Sequence, residues 1–198
     1  MSRVRDTIIN HTQEALEFSG NIGQSPAAYS TIGKNRLDLA KIQTGNVELK
    51  IEPVHCQELL DEVANALRPV AEAKRLHFEV ILPITKVIIQ TDRQALSQIL
   101  LNLTHNAIRF TETGSICIEL RRRLESRRVK ISTEFSVEDT GPGIRPEELT
   151  RLFQARRHGS TGLGLYLSQK LASLLDGRIE VMSVHGKGSI FRLVVLGI

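Results

Sequence analysis

Two glycine clusters in the last third of the chain constrain its fold more than any other feature. The first reads Asp-Thr-Gly-Pro-Gly-Ile (139–144) and the second Gly-Ser-Thr-Gly-Leu-Gly-Leu (159–165). Because glycine has no Cβ and tolerates positive φ, both clusters predict backbone that passes close to a bulky neighbour. The second cluster also opens an apolar helix, whose free N–H groups and positive dipole end favour an anion such as phosphate.

An acid lies beside the first cluster. Asp139 follows an apolar strand and is predicted to be buried at its end. A buried carboxylate on one wall and a phosphate cradle on the other are typical of a nucleotide site. The sequence therefore predicts such a site between 137 and 165.

Composition excludes several other classes of protein. The 198 residues carry a net charge of +4 and are 41% hydrophobic, which is ordinary for a globular chain. Arginine clusters such as 121–123 have few aromatic neighbours and match no nucleic-acid motif, so no nucleic-acid partner is predicted. Cys56 and Cys117 lie too far apart in the sequence to indicate a paired-cysteine zinc site.

No apolar run is long enough to cross a bilayer, and the N-terminus lacks a signal-peptide layout. We therefore expect a cytoplasmic protein. Any membrane attachment would come from segments outside this sequence.

Residues 1–46 predict a helical hairpin. The first helix spans 3–18, and the second begins at Ser25-Pro26, a start signal, and runs to about Gln43. The first helix carries an apolar stripe formed by Val4, Ile8, His11, Ala15 and Phe18. A lone hairpin buries too little surface to be stable, so we expect a homodimer through these helices.

Residues 47–198 predict a second domain of mixed strands and helices. Strands are predicted at 47–53, 76–82, 87–91, 115–121, 128–137, 178–184 and 189–196, and helices at 55–74, 92–110, 146–153 and 162–175. Pro69 is expected to interrupt the first of these helices, and Val70 to face inward. Since the strands fall in adjacent pairs, the fold class is α+β, an α/β sandwich with helices on one face.

The helix predicted at 92–110 carries two amides on one face. Asn102 and Asn106 are four residues apart, hence one turn apart. An amide oxygen is a hard ligand suited to Mg²⁺, although Asn102 would equally serve as a packing or capping residue. Arg109 lies one further turn along and could reach a phosphate or remain a solvated helix charge.

Four motifs together resemble the ATP-binding domain of sensor histidine kinases. Asn-Leu-Thr-His-Asn-Ala-Ile-Arg-Phe-Thr (102–111) is similar to the N box of that family, and 139–144 to its G1 box. Leu-Phe (152–153) resembles the F box and 159–165 the G2 box. They occur in the family's order, and 35–45 is similar to the end of its second dimerisation helix.

The resemblance implies a binding site for ATP and Mg²⁺. Asp139 would accept a hydrogen bond from the adenine amino group, and Asn106 would hold Mg²⁺ with support from Asn102. Ile144 and Phe153 would line the base pocket. The remaining cofactor-binding residues implied are Arg109, Phe110, Gly141, Gly143, Thr161, Gly162, Leu163, Gly164 and Leu165.

The phosphoacceptor region departs from the family's pattern. The acceptor histidine is usually followed by an acidic residue and then a Pro-Leu, whereas His11 is followed by Thr12 and by no such Pro-Leu. Glu14 is the candidate base that would take the imidazole proton. Ala15 stands where phosphatase-competent members tend to carry a polar residue, and the hairpin and the segment after Phe153 are short for the family.

The resemblance implies a two-component kinase that phosphorylates a histidine and passes the phosphoryl group to an aspartate of a response-regulator receiver domain. The alternative is a nucleotide-binding pseudokinase that controls a partner without phosphoryl transfer. A serine kinase of the anti-sigma type and a gyrase-like ATPase share the fold, but the first needs no N-terminal hairpin and the second needs a transducer domain.

Overall fold

A computed structural model describes residues 48–125, 130–153 and 161–196. The predicted hairpin, with the candidate residues His11 and Glu14, lies outside them, so the domain boundary at 46/47 stays a prediction. Residues 154–160, between the F and G2 boxes, also lie outside the described part.

Seven strands and four helices are described. The strands are β1 (Ile51–His55), β2 (His77–Ile81), β3 (Ile88–Asp92), β4 (Ser115–Glu125), β5 (Lys130–Asp139), β6 (Gly177–Val184) and β7 (Gly188–Leu196), and the helices are α1 (Cys56–Ala73), α2 (Arg93–Phe110), α3 (Pro146–Leu149) and α4 (Thr161–Leu174).

Five strands form the main sheet, in the order β2-β4-β5-β7-β6. Strand β2 runs parallel to β4, and the other neighbours are antiparallel. Alternate residues of β4, β5 and β7 form one buried face, which includes Ile118, Leu120, Phe135, Val137 and Leu193. The predicted α+β sandwich with helices on one face is confirmed.

The opposite face of the sheet is charged. The Glu134 carboxylate forms ion pairs with Arg123 at 3.8 Å and with Arg192 at 3.6 Å. Arg192 also forms an ion pair with Glu180 at 3.7 Å. Asp139 lies on the buried face, because it continues the alternation of Phe135 and Val137 along β5. Strand alternation therefore carries the acid to the helix side of the sheet.

Helix α2 lies between α1 and α4 and contacts both. It begins where the Asp92 carboxylate accepts the backbone N–H of Ala95 at 2.8 Å, an N-cap that satisfies one free donor. Its predicted core residues Leu96, Ile99, Leu100, Leu103 and Ala107 are all buried.

The C-terminus of α2 is held by a side chain from the end of α1. The Lys74 ammonium donates to the carbonyls of Ile108, Arg109 and Thr111 at 2.7, 3.1 and 2.8 Å. These carbonyls lie at the negative end of the helix dipole, so the cation satisfies both their hydrogen-bonding capacity and their charge.

Some predicted boundaries were wrong. Strand β1 spans Ile51–His55 rather than 47–53, because its pairing with β3 starts at the Ile51–Asp92 pair. Helix α3 ends at Leu149 rather than near Phe153, and residues 150–153 form turns.

Two further expectations about α1 were also wrong. Helix α1 continues through Pro69 to Ala73, and Val70 is only partly buried, whereas Ala71 is fully buried. Strands β2 and β3, adjacent in sequence, belong to different sheets, since β3 pairs with β1 and β2 with β4. Sequence proximity alone does not set which strands pair.

Candidate functional site

Asn106 lies in the C-terminal half of α2 and is buried. Its residue surface is 8% exposed, and its side-chain nitrogen has no hydrogen-bond partner among the described residues. A buried amide without a partner is unfavourable in a folded protein. The nitrogen is a hydrogen-bond donor, so an acceptor on a ligand, such as a phosphate oxygen, would satisfy it, while the amide oxygen of the same side chain could bind a cation.

Asn102, one turn before Asn106, contacts helix α4 instead. Its side-chain Nδ2 donates to the Ser168 hydroxyl at 2.7 Å, and Ser168 is 1% exposed. A Cβ at Gly164 would overlap the Oδ1 atom of Asn102. The start of the N box is thus packed directly on the G2 helix, and this contact needs glycine at 164.

The end of α2 contacts the first glycine cluster. A Cβ at Gly141 would lie 3.1 Å from the Thr111 Oγ1 atom and 3.3 Å from the Phe110 carbonyl oxygen. Thr111 is fully buried, and its hydroxyl donates to the Ala107 carbonyl at 2.8 Å. One helix therefore contacts both clusters, at points two to three turns apart.

Asp139 is buried at the end of β5, with 7% of its surface exposed. Its Oδ1 atom accepts the backbone N–H of Gly141 at 2.9 Å. Burial raises the pKa of the carboxyl above its usual value, while N–H groups of Gly141 and Ser189 act in the opposite direction. The site thus holds an acceptor that a polar N–H donor from a ligand would stabilise in its charged form.

The first glycine cluster is docked onto the β6–β7 turn. Gly143 has φ of +65°, and a Cβ there would overlap the Val184 carbonyl oxygen. The Gly186 N–H donates to the Pro142 carbonyl at 2.7 Å, and the Ile144 N–H donates to the Ser183 hydroxyl at 2.8 Å. The turn fixes the path of the loop that follows Asp139.

Ser183 and Gly188 have a supporting role that was not predicted from the sequence. Ser183 donates to the Gly188 carbonyl at 3.0 Å and lies 3.0 Å from the Ser189 hydroxyl. A Cβ at Gly188, which has φ of +111°, would overlap the carbonyl oxygen of Asp139. The His-Gly-Lys-Gly turn was a signal for close backbone approach, but nothing in the sequence tied it to residues 139–144.

Arg109 and Phe110 lie in the last turn of α2, and both are exposed. The Arg109 guanidinium lies 5.6 Å from the centre of the Phe110 ring, a cation–π distance. Next to them, burial lowers the pKa of His105, with further lowering by Arg109 and Lys74. The imidazole is therefore neutral at pH 7, and the positive charge here comes from the arginine and the lysine.

The other predicted residues lie in the loop after Asp139, at Phe153 and in the first residues of α4. Ile144 and Phe153 are half-buried, and Leu165 is buried in α4. Thr161, Gly162 and Leu163 form the first residues of α4. The predicted place of Phe153 beside the base stays a prediction.

Within residues 48–125, 130–153 and 161–196, no three His, Cys, Asp or Glu side chains form a metal-binding group. The amide oxygen of Asn106 is a hard ligand of the kind that suits Mg²⁺, which commonly takes few protein ligands and shares phosphate oxygens and water. None of the helices in the described ranges is long and apolar enough to span a membrane.

Comparison with known proteins agrees with this geometry. Residues 91–196 match the family described as "Histidine kinase-, DNA gyrase B-, and HSP90-like ATPase". The chain is 33% identical over 190 residues to the sensor histidine kinase GacS of Pseudomonas protegens, covering 91% of this chain and 21% of that protein. It is 38% identical over 167 residues to the signal transduction histidine-protein kinase BarA of Escherichia coli, covering 78% of this chain and 18% of BarA. The chain thus spans about a fifth of the length of these curated relatives.

Solved structures show the same fold. The full-length ShkA structure in complex with AMPPNP superposes with a TM-score of 0.74 at 29% identity, covering 95% of this chain and 39% of ShkA. The Acinetobacter baumannii histidine kinase AdeS, at 23% identity, has a TM-score of 0.69 and covers 98% of this chain and 97% of that one. With N, G1 and G2 residues meeting around α2, the chain belongs to the histidine kinase-, DNA gyrase B- and HSP90-like ATPase family, as a histidine kinase ATP-binding region.

Proposed function

We propose that the chain is the catalytic region of a two-component sensor histidine kinase. It binds Mg-ATP, phosphorylates a histidine and supplies the phosphoryl group to an aspartate of a response-regulator receiver domain. The observation that carries this proposal is the position of α2, whose Asn102 contacts Gly164 and whose C-terminus contacts Gly141. This arrangement supports a single site with a base side and a phosphate side.

The base side is formed by Asp139 and the loop after it. The Asp139 carboxylate would accept a hydrogen bond from the adenine amino group. Guanine has a carbonyl at that position, so the buried carboxylate would face another acceptor and no hydrogen bond would form. Gly141 and Gly143 allow the loop to pass close to the base, and Ile144 and Phe153 supply apolar contacts. The β6–β7 turn keeps this loop in place.

The phosphate side is formed by α2 and the first turn of α4. Asn106 would hold Mg²⁺ through its amide oxygen, and the ion when bound neutralises charge on the phosphates. The backbone N–H groups of Thr161–Leu165 would face phosphate oxygens at the positive end of the helix dipole. Arg109 would add a positive charge near them.

The names of the relatives support the kinase class. GacS and BarA are named as histidine kinases, and ShkA was solved with AMPPNP, a nucleotide analogue. By this proposal His11 is the phosphoacceptor, Glu14 is the base that takes its proton, and the chain acts as a homodimer through residues 1–46.

Incubation with γ-labelled ATP and Mg²⁺ tests the transfer step. We expect acid-labile label on the wild-type chain, loss of that label in His11→Gln, and retention in His185→Gln, a control at the exposed β6–β7 turn. Absence of label on the wild-type chain would refute phosphorylation by this chain. Label that persists in His11→Gln would show that another residue is the phosphoacceptor.

A second candidate function is a pseudokinase that binds nucleotide without transferring phosphate. The observation that favours it is the sequence around His11, which has Thr12 instead of an acid and no following Pro-Leu. Two results together would decide for this candidate. The wild type would bind Mg-ATP in calorimetry, with binding lost in Asp139→Asn, and the wild type would show no labelling.

A further inference from the structure

Ser168 is buried on α4 and contacts an N-box residue of α2. Its hydroxyl oxygen accepts a hydrogen bond from the Nδ2 group of Asn102 at 2.7 Å across the α2–α4 interface. The hydroxyl is almost fully buried, at 1% exposure, and Asn102 is partly buried, so the bond lies at the packed interface between the two helices. The bond therefore sets the orientation of the amide.

A second contact, one turn earlier on α4, fixes the other end of the same amide. Gly164 and Ser168 are four residues apart and so lie on one face of α4. The Oδ1 atom of Asn102 occupies the space that a Cβ on Gly164 would fill, while Nδ2 binds Ser168. The amide thus lies along one turn of α4, with its oxygen toward the helix N-terminus and its nitrogen toward Ser168.

The position of this amide matters for the neighbouring site. Asn106 lies one turn beyond Asn102 on α2 and has a buried side-chain nitrogen without a partner in the described ranges. Because Asn102 links α2 to the first turns of α4, the distance between Asn106 and the N-terminal N–H groups of α4 depends on the Asn102–Ser168 bond. These are the two groups proposed to bind the magnesium-bound phosphates.

We propose that Ser168 is a positioning residue for the phosphate side of the site, acting through Asn102. This inference rests on the proposed function, since it concerns the same nucleotide site. Removing the hydroxyl takes away the partner on α4 that holds the Asn102 amide nitrogen, so the amide is free to turn. The base side, built from Asp139 and the β6–β7 turn, does not depend on this bond.

The test compares two ligands on the full chain by titration calorimetry. Mg-AMPPNP contacts both sides of the site, whereas adenosine contacts only the base side. Loss of one neutral hydrogen bond predicts that Ser168→Ala weakens Mg-AMPPNP binding by about three- to tenfold and changes adenosine binding by less than about twofold. The matched control is Ser173→Ala, an exposed serine of α4 whose hydroxyl donates to the Gln169 carbonyl at 3.0 Å, and it should change neither.

A double-mutant cycle separates positioning from simple packing. If Ser168 acts through Asn102, Ser168→Ala has no further effect on Mg-AMPPNP affinity in an Asn102→Ala background. If Ser168→Ala does not fold, Ser168→Cys keeps the side-chain size but accepts hydrogen bonds weakly, and the same loss is expected.

Three results would overturn the inference. Equal weakening of adenosine and Mg-AMPPNP would show that Ser168 only supports the fold, and an unchanged Mg-AMPPNP affinity would show that its bond is dispensable. Failure of the wild type to bind either ligand would refute the proposed function itself, and the role of Ser168 with it.

Discussion

The contact between the β6–β7 turn and Asp139 predicts very different effects for two glycines of the same turn. Gly186 and Gly188 both have positive φ, +83° and +111°, so alanine at either position carries a backbone penalty. A Cβ at Gly186 would meet nothing within 4 Å. A Cβ at Gly188 would overlap the Asp139 carbonyl oxygen and lie 3.0 Å from its carbonyl carbon and from the Thr140 Cα atom.

The expected changes in Tm follow from the backbone penalty and from the overlap at Gly188. The positive φ costs about 1 kcal/mol for alanine at either position. The overlap at Gly188 is with backbone, which cannot rotate away, and overpacking of this kind costs a further ~2 kcal/mol. For a chain of this size 1 kcal/mol lowers Tm by roughly 2–4 °C, so we expect Gly186→Ala to lower Tm by about 2–4 °C and Gly188→Ala by about 6–12 °C.

Calorimetric melting of the two variants beside the wild type measures this difference, and adenosine titration measures its effect on the site. Gly188→Ala should also weaken adenosine binding, because relief of the overlap moves the backbone that carries the Asp139 carboxyl. Equal Tm values for the two variants would refute the packing of the turn on Asp139. A destabilised Gly188→Ala variant with normal adenosine affinity would show that the turn does not position the acid.

Three further predictions concern single side chains. Lys74→Met removes the donor to three carbonyls of α2 and should lower the free energy of unfolding by about 1–2 kcal/mol in urea titration; an unchanged midpoint would contradict the cap. Burial raises the pKa of Asp139, so the ionised carboxylate destabilises the ligand-free fold once the pH rises above that pKa. Asp139→Asn should therefore raise Tm at pH 7, and the gain should shrink on acidification. A lower Tm at pH 7 would contradict this. Gly164→Ala should displace the Asn102 side chain and weaken Mg-AMPPNP binding about tenfold with little change in Tm, and unchanged affinity would show that the close packing is not needed.

Much of the ATP-binding region could be predicted from the sequence because its signals are local. The apolar stripe of α2 has a period that only a helix satisfies, and its predicted core residues are buried. Likewise, strand alternation places Asp139 on the buried side of β5, and Asn102 and Asn106 must share a helix face. These properties depend on residues a few positions apart.

Other features depend on residues far apart in the sequence and were missed or misplaced. The length of β1 is set by its pairing with β3, about forty residues later, and not by its own alternation. The partner of Asn102 is Ser168, 66 residues further on, and the Ile144 backbone is held by Ser183, 39 residues further on. No periodicity connects such pairs.

By itself, therefore, the sequence determined the elements, the order of the four boxes and the residue types available to a nucleotide site. Tertiary structure alone decided that α2 contacts both glycine clusters and that the β6–β7 turn supports the loop after Asp139. It also decided that Asn102 binds α4, while the Asn106 side-chain nitrogen has no partner within the part of the chain that the structure describes. The physical reason is the distance along the sequence over which each effect acts. Helix and strand periodicity act over a few residues, whereas close packing and the pairing of buried polar groups are settled only when distant segments meet.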